Sequence, residues 1–187
     1  MTPEIETRGT SFLSVQGALA DLKGQVFADR VIDAMPKEGK DALRYGSVIA
    51  TGWYPIRWYR ELFTAAVELS GDVWFPRAIG RASIRREIRG VHRLLFRVVT
   101  VEMLQKQGTR FFQSYFRPTE CTLELAAARH GITRYAGCVG FNRNLWLEQL
   151  GCIEELLVQA RVELPRVRIL NGGGDGDAHC EVETRWR

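Results

Sequence analysis

The chain reads as an α+β protein: a helical N-terminal half followed by a β-β-α-β-β antiparallel sheet unit. Three observations predict this. From Cys180 to Arg187 charged side chains occupy every second position, with apolar or β-branched ones between them. That is the period-two signature of a strand with one wet face. A second alternating run places Cys121, Leu123 and Leu125 between Glu120, Thr122 and Glu124. Between the two strand pairs, Phe141 to Arg161 carries Leu145, Cys152, Ile153, Leu156, Leu157 and Ala160 on one stripe, the spacing of an amphipathic helix.

The elements follow in order. Arg8 to Val15 is expected as a short strand or extended lead-in. Ala18–Lys23 and Val26–Met35 read as helical turns interrupted at Gly24, and Pro36 opens a further short helix through Leu43. Gly52 and Pro55 punctuate the chain around Trp53 and Tyr54. Ile56, Tyr59, Leu62, Phe63, Ala66 and Val67 then give helical spacing up to the stop at Ser70-Gly71-Asp72. Asp72 is the expected N-cap of a basic helix beginning near Val73, with Pro76 in its first turn and an end near Arg89. Helical pattern resumes at Val91, and Pro118 ends it near Phe116.

His130-Gly131 signals a turn between the first two sheet strands, the second running from Ile132 to Val139. Gly151 inside the long helix predicts close packing or a break there. Pro165 opens the third strand of the sheet, and Asn171 to Asp177 is a glycine-rich loop. Pairing Arg168 with Glu181 and Arg166 with Glu183 sets Val167 against Val182 and Ile169 against Cys180, the register favoured by charge and pattern.

Bulk properties bound the function. A length of 187 residues suits one domain over 1–187, with a helical part up to about 117 and a sheet part from about 118. With 45% hydrophobic and 26% charged residues, disordered and fibrous classes drop out. No stretch approaches the roughly 20 apolar residues of a membrane span. The acidic start, Met1 to Glu6, lacks the order of a signal peptide. Cys121, Cys138, Cys152 and Cys180 are widely spaced, which points to reduced buried thiols and a cytoplasmic protein.

Charge is uneven. Between Arg77 and Arg117 nine arginines and one lysine stand against two glutamates, a local excess of +8 that leaves −4 for the remainder. Arg77, Arg81, Arg85, Arg89, Arg93 and Arg97 recur every fourth residue. A step of four advances about 40° round a helix, so the row spirals instead of holding one line. A solvated face is the ordinary explanation. The functional alternative is a basic surface module in which Arg81, Arg85, Arg89 and Arg93 bind an acidic protein, anionic lipid or nucleic acid. Nucleic acid is the least favoured of these, since no helix-turn-helix, zinc or base-stacking motif accompanies the charge.

Trp53, Tyr54, Trp58 and Tyr59 form the densest aromatic cluster. Most such residues are core, yet two Trp and two Tyr in seven residues exceed what one helix face buries easily. Trp53, Tyr54 and Trp58 are therefore candidates for a ligand pocket or a dimer seam. No motif of a nucleophile elbow, phosphate loop, zinc protease or dinucleotide site occurs, so no catalytic residue is assigned. His179 and Cys180 are strand neighbours pointing to opposite faces, and cysteines on apolar stripes read as core, so structural zinc is disfavoured.

The order helices, then strand-strand-helix-strand-strand, resembles the superfamily that unites haem nitric-oxide/oxygen-binding domains, vinyl-reductase-type sensor domains and TRAPP vesicle-tethering subunits. Within it the chain is similar to an uncharacterised bacterial family known from sets of paralogues in myxobacteria. The residues concerned are Arg8-Gly9, Trp53-Tyr54-Pro55, Ile79-Gly80-Arg81, Gly140-Phe141 and the closing Glu183-Thr184-Arg185-Trp186. The resemblance implies a non-catalytic sensor or scaffold domain. It would bind a small apolar or amphipathic ligand or a protein partner between helices and sheet, and often as a homodimer. It also raises haem, which relatives hold through an axial His and a Tyr-x-Ser-x-Arg motif. Here Ser114-Tyr115-Phe116-Arg117 does not match that motif and nothing independent marks His92 as a ligand, so no cofactor is expected.

Overall fold

The structure, a computed structural model, describes residues 4–88 and 101–186. β1 (Glu6–Arg8) leads straight into α1 (Gly9–Lys23), α2 (Gln25–Ala34) and α3 (Lys37–Arg44), and β2 (Trp53–Pro55) precedes α4 (Ile56–Ser70) and α5 (Phe75–Glu87). After α6 (Val101–Tyr115) come β3 (Phe116–Arg117), β4 (Glu120–Ala127), β5 (His130–Ala136), α7 (Arg143–Gln159), β6 (Arg166–Gly172) and β7 (Cys180–Arg185). The protein is α+β. Its four-stranded sheet is antiparallel in the order β4-β5-β7-β6. The expected helix end near Arg89 and the pattern resuming at Val91 lie outside the described residues.

Local chemistry sets the helix ends. Gly24 takes φ 86° between α1 and α2, and Pro36 occupies the N-cap of α3. Asp72 Oδ1 accepts from the Trp74 amide at 2.8 Å, so Asp72 orders the entry to α5 while Trp74 takes the cap position itself. Asn142 caps α7 by accepting from the Leu145 amide. Asp175, reaching over from the glycine-rich loop, accepts from the Arg143 amide at 2.9 Å. Turn chemistry alone had marked that loop, and it also tethers the start of the long helix.

Three expectations are corrected. The strand at the start ends at Arg8, and Gly9 to Val15 is helix. β1 instead nucleates a second small sheet in the helical half, ordered β2-β1-β3, with Arg8 opposite Trp53 and Thr7 opposite both Tyr54 and Phe116. The turn between β4 and β5 is Ala128-Arg129, with Arg129 at φ 62°, so His130 and Gly131 already belong to β5. The β6–β7 hairpin exists, but its register is slipped by two: Arg168 faces Glu183, Ile169 faces Val182 and Arg166 faces Arg185. A bulge between Ile169 and Asn171 absorbs the difference near the loop. Because the slip is even, every side chain keeps its face. Val167, Cys180 and Val182 remain buried.

α7 joins the two halves. One contiguous apolar cluster runs from α1 and α4 through Trp146 and Leu150 to Val167 and Val182, with Trp186 packed against its edge. Where α7 crosses α5, two glycines meet backbone. A Cβ on Gly80 would lie 2.1 Å from the Glu148 carbonyl oxygen, and one on Gly151 would lie 2.1 Å from that of Arg77. Only glycine permits this approach, so the close packing expected at Gly151 is realised and the helix does not break.

Candidate functional site

Between the helical half and the sheet lies a cavity of about 120 Å³. Its bulk is apolar, formed by Leu104, Phe112, Phe116, Ile153, Leu156 and Leu157. Helical spacing accounts for this: Ile153, Leu156 and Leu157 are the stripe of α7 that faces inward. Phe112 and Phe116 meet at a tilt 4.9 Å apart where α6 runs into β3, and Phe112 also meets Tyr135 at 4.7 Å and Phe141 at 6.2 Å.

One wall is polar and acidic. Glu148 is 4% exposed. Its carboxyl accepts from Tyr59 Oη at 3.4 Å, Cys152 Sγ at 3.1 Å and Gln149 Nε2 at 2.5 Å. None of these donors is a cation. Burial pushes the Glu148 carboxyl up to about 7, against the downward pull of those hydrogen bonds. Glu87 stands on the same wall, accepting from Ser14 Oγ at 2.5 Å and from Tyr115 Oη at 2.9 Å. Burial, helped by the neighbouring carboxylates, raises the phenols of Tyr59 and Tyr115 and the thiol of Cys152 well above their ordinary ranges. Ser83 completes the wall. It is buried, and its Oγ finds no hydrogen-bond partner among the described residues.

The residues singled out from sequence lie elsewhere. Trp53 is held in the small sheet between two guanidinium groups, Arg117 4.0 Å and Arg8 5.2 Å from its ring. Tyr54 stacks on Trp58 at 5.9 Å, donates its hydroxyl proton to the Ser47 carbonyl and accepts from the Ile49 amide. None of the three lines the cavity; Tyr59, their neighbour, does. Sequence reasoning missed Glu148, Glu87, Ser83 and Tyr115. The signal was faint: Glu148 is the acidic residue interrupting the apolar run Leu145–Leu150.

The described part of the arginine row is paired internally. Arg77 and Arg81 both bind Glu154, and Arg85 binds Glu155 at 2.7 Å. Arg86 binds Asp21 at 2.6 Å. Burial works against ionised Glu155, but the Arg85 and Gln159 hydrogen bonds bring its carboxyl below the usual carboxylate range. Arg81 and Arg85 thus have their charges answered by α7. Arg89 and Arg93 lie outside the described residues, as do Arg97 and His92.

Among the described residues no three His, Cys, Asp or Glu converge to hold a metal ion, and no helix is long and apolar enough to cross a membrane. No family model matches the sequence, and no curated protein matches it. Solved structures do. An oxygen-binding H-NOX domain related to soluble guanylate cyclases, in its oxygen complex, is 19% identical and superimposes with a TM-score of 0.68, covering 96% of this chain and 95% of that one. The Fe(II) unliganded H-NOX protein of K. algicida is 11% identical with a TM-score of 0.69, covering 96% of each chain. A structure described for modulation of haem redox potential through porphyrin distortion gives 17% identity and a TM-score of 0.65, with 95% and 99% covered.

These matches overturn one expectation. The absence of a cofactor rested on a missing short motif, whereas the likeness spans nearly the whole chain and its partners are described by haem, Fe(II) and oxygen. Haem returns as the cofactor to consider. The matching structures are described by what they bind and not by a reaction. At these identities the likeness carries the architecture: the chain has the H-NOX fold.

Proposed function

We propose that residues 1–187 form one non-catalytic, cytoplasmic ligand-sensing domain that takes its ligand into the cavity between α5, α6, α7 and the sheet. Haem is the ligand to test first. The observation that supports this reading is an apolar cavity enclosed by both halves of an H-NOX fold. The described wall is apolar as a porphyrin requires, but at about 120 Å³ the cavity is smaller than a porphyrin and would have to open to admit one. Tyr and Cys are side chains that can hold haem iron. Haem, when bound, would supply a centre for a diatomic gas. Burial holds the Tyr59, Tyr115 and Cys152 protons in place, which disfavours these three as ligands in their anionic forms. No Arg, Lys or His lines the described wall to pair with propionates. His92 stands upstream in the order an axial histidine requires, and it is our candidate for that role.

Membership of the myxobacterial paralogous family, and a homodimer or protein partner, belong to this proposal as well. An anion-binding surface would have to rest on Arg89 and Arg93. The test is titration of the purified protein with hemin, followed by absorbance and by quenching of the buried Trp146. A sharp Soret band saturating at one equivalent, displaced in His92→Ala, supports the haem reading. A broad spectrum without saturation rejects haem as the ligand.

A further inference from the structure

The cavity's polar end has a definite chemical character. Two carboxyl groups, Glu87 and Glu148, stand on a wall whose other polar members, among the described residues, are neutral. Removing carboxylates from water is costly unless a positive group or sufficient donors replace the hydration. Elsewhere on α7 the same requirement is met by arginine: Glu154 by Arg77 and Arg81, Glu155 by Arg85. At Glu148 it is met, among the described residues, by a phenol at 3.4 Å, a thiol and an amide. Beside them the Ser83 hydroxyl, 4% exposed, lines the cavity without a partner among the described residues. A buried hydroxyl is normally bonded, and one left open toward a cavity marks a place for a ligand group or water.

We propose that the cavity binds an amphipathic ligand with an apolar body and a cationic, hydrogen-bond-donating head, the head received by Glu148, Glu87 and Ser83. The apolar body lies along Phe112, Ile153 and Leu157, and an ammonium or amidinium group supplies the positive charge that the described wall lacks. Ser83 accepts one further donor hydrogen. This inference rests on the cavity being the ligand site and names the ligand's head group. The acidity that leaves a porphyrin's propionates unpaired is the feature that favours a cation here, so hemin and an alkylammonium probe different parts of the reading.

The experiment is calorimetric titration of the full chain at pH 8, above the value of about 7 to which burial raises Glu148, with octylammonium, octanoate and octanol. Octylammonium is expected to bind at least tenfold more tightly than octanoate, with octanol between them. Glu148→Gln, checked for folding by near-ultraviolet circular dichroism, is expected to reduce the preference about tenfold. Ser83→Ala is expected to weaken octylammonium a few-fold without changing octanol. Octanoate binding as well as the amine, or a preference untouched by Glu148→Gln, overturns the head-group inference while leaving a cavity that binds hemin or octanol intact. Failure of all four probes, hemin included, overturns the cavity as a ligand site.

Discussion

Two glutamates on α7, seven residues apart, occupy opposite electrostatic situations. Glu155 is 3% exposed and Glu148 4%, so surface exposure does not distinguish them. Depth and partners do: the Glu148 carboxyl is set deeper in the protein than that of Glu155. Glu155 meets Arg85 across the α5 crossing and is held below the usual carboxylate range. Glu148 faces the cavity with neutral donors and is raised to about 7. α5 gives a cation to one buried acid of α7, while the acid two turns earlier has neutral donors among the described residues, so α7 serves two purposes. Its Glu155 end clamps the fold, and its Glu148 end lines a cavity.

The clamp depends on the glycine contact, and its disruption is the largest effect we expect. Gly151→Ala should stabilise an isolated helix by about 1 kcal/mol. Here the added Cβ meets the Arg77 carbonyl oxygen at 2.1 Å, and overpacking against backbone costs about 3 kcal/mol or more. A clear fall in the urea midpoint is predicted. An unchanged or higher midpoint would mean that the two helices are not in contact at this crossing.

The cavity end should respond with the opposite sign. The folded Glu148 carboxyl keeps its proton up to about pH 7, whereas the unfolded one loses it near 4.5. The folded state therefore binds the extra proton between these limits, and stability falls as pH rises through that window. Glu148→Gln removes the cost, so the variant should gain about 1–3 kcal/mol at pH 8 and nothing near pH 4.5. Denaturant unfolding of both proteins at the two pH values checks this. A gain that is equal at both would show that the carboxyl titrates normally.

These contrasts explain what could be read from the sequence. Period-two runs and the α7 stripe fixed the fold class because both patterns are local and the buried face repeats along each element. The hairpin register slipped by an even number because charge pairing is satisfied by more than one alignment: Arg168 finds Glu183 as readily as Glu181. The small sheet escaped notice because β1, β2 and β3 are two or three residues long and pair across the length of the helical half. Part of the arginine row hid its partners for the same reason. Counted over Arg77–Arg117 it looks unanswered, but the acids that meet Arg77, Arg81 and Arg85, which are Glu154 and Glu155, arrive from a helix some seventy residues later. Glu148 was invisible because an acidic residue in an apolar run has the same letter whether solvent, arginine or a cavity receives it. The aromatic cluster drew attention by density alone: Trp53 and Tyr54 belong to the small sheet, Trp58 stacks on Tyr54, and Tyr59 lines the cavity.

The smallest predicted effect is the sharpest test of the clamp. Arg85 is half-exposed, with 55% of its side-chain surface open, while Glu155 is nearly enclosed at 4%. Exposure screens the pair and lowers its worth from that of a fully buried ion pair. Arg85→Ala leaves Gln159 still donating to Glu155 at 2.7 Å, so the loss should be about 1 kcal/mol at pH 7. Its pH dependence carries the distinction. Because the Arg85 and Gln159 hydrogen bonds depress the folded carboxyl below 4.5, the stability it provides is present above that value. It disappears as pH falls through the lowered folded value. The deficit of the variant should shrink toward acid, whereas the benefit of Glu148→Gln grows toward alkali. Parallel denaturation series across pH 3 to 8 would separate the two. A deficit in Arg85→Ala that persists unchanged at pH 3 would assign the arginine a packing role through its aliphatic stem, leaving Glu154 with Arg77 and Arg81 as the ionic part of the crossing.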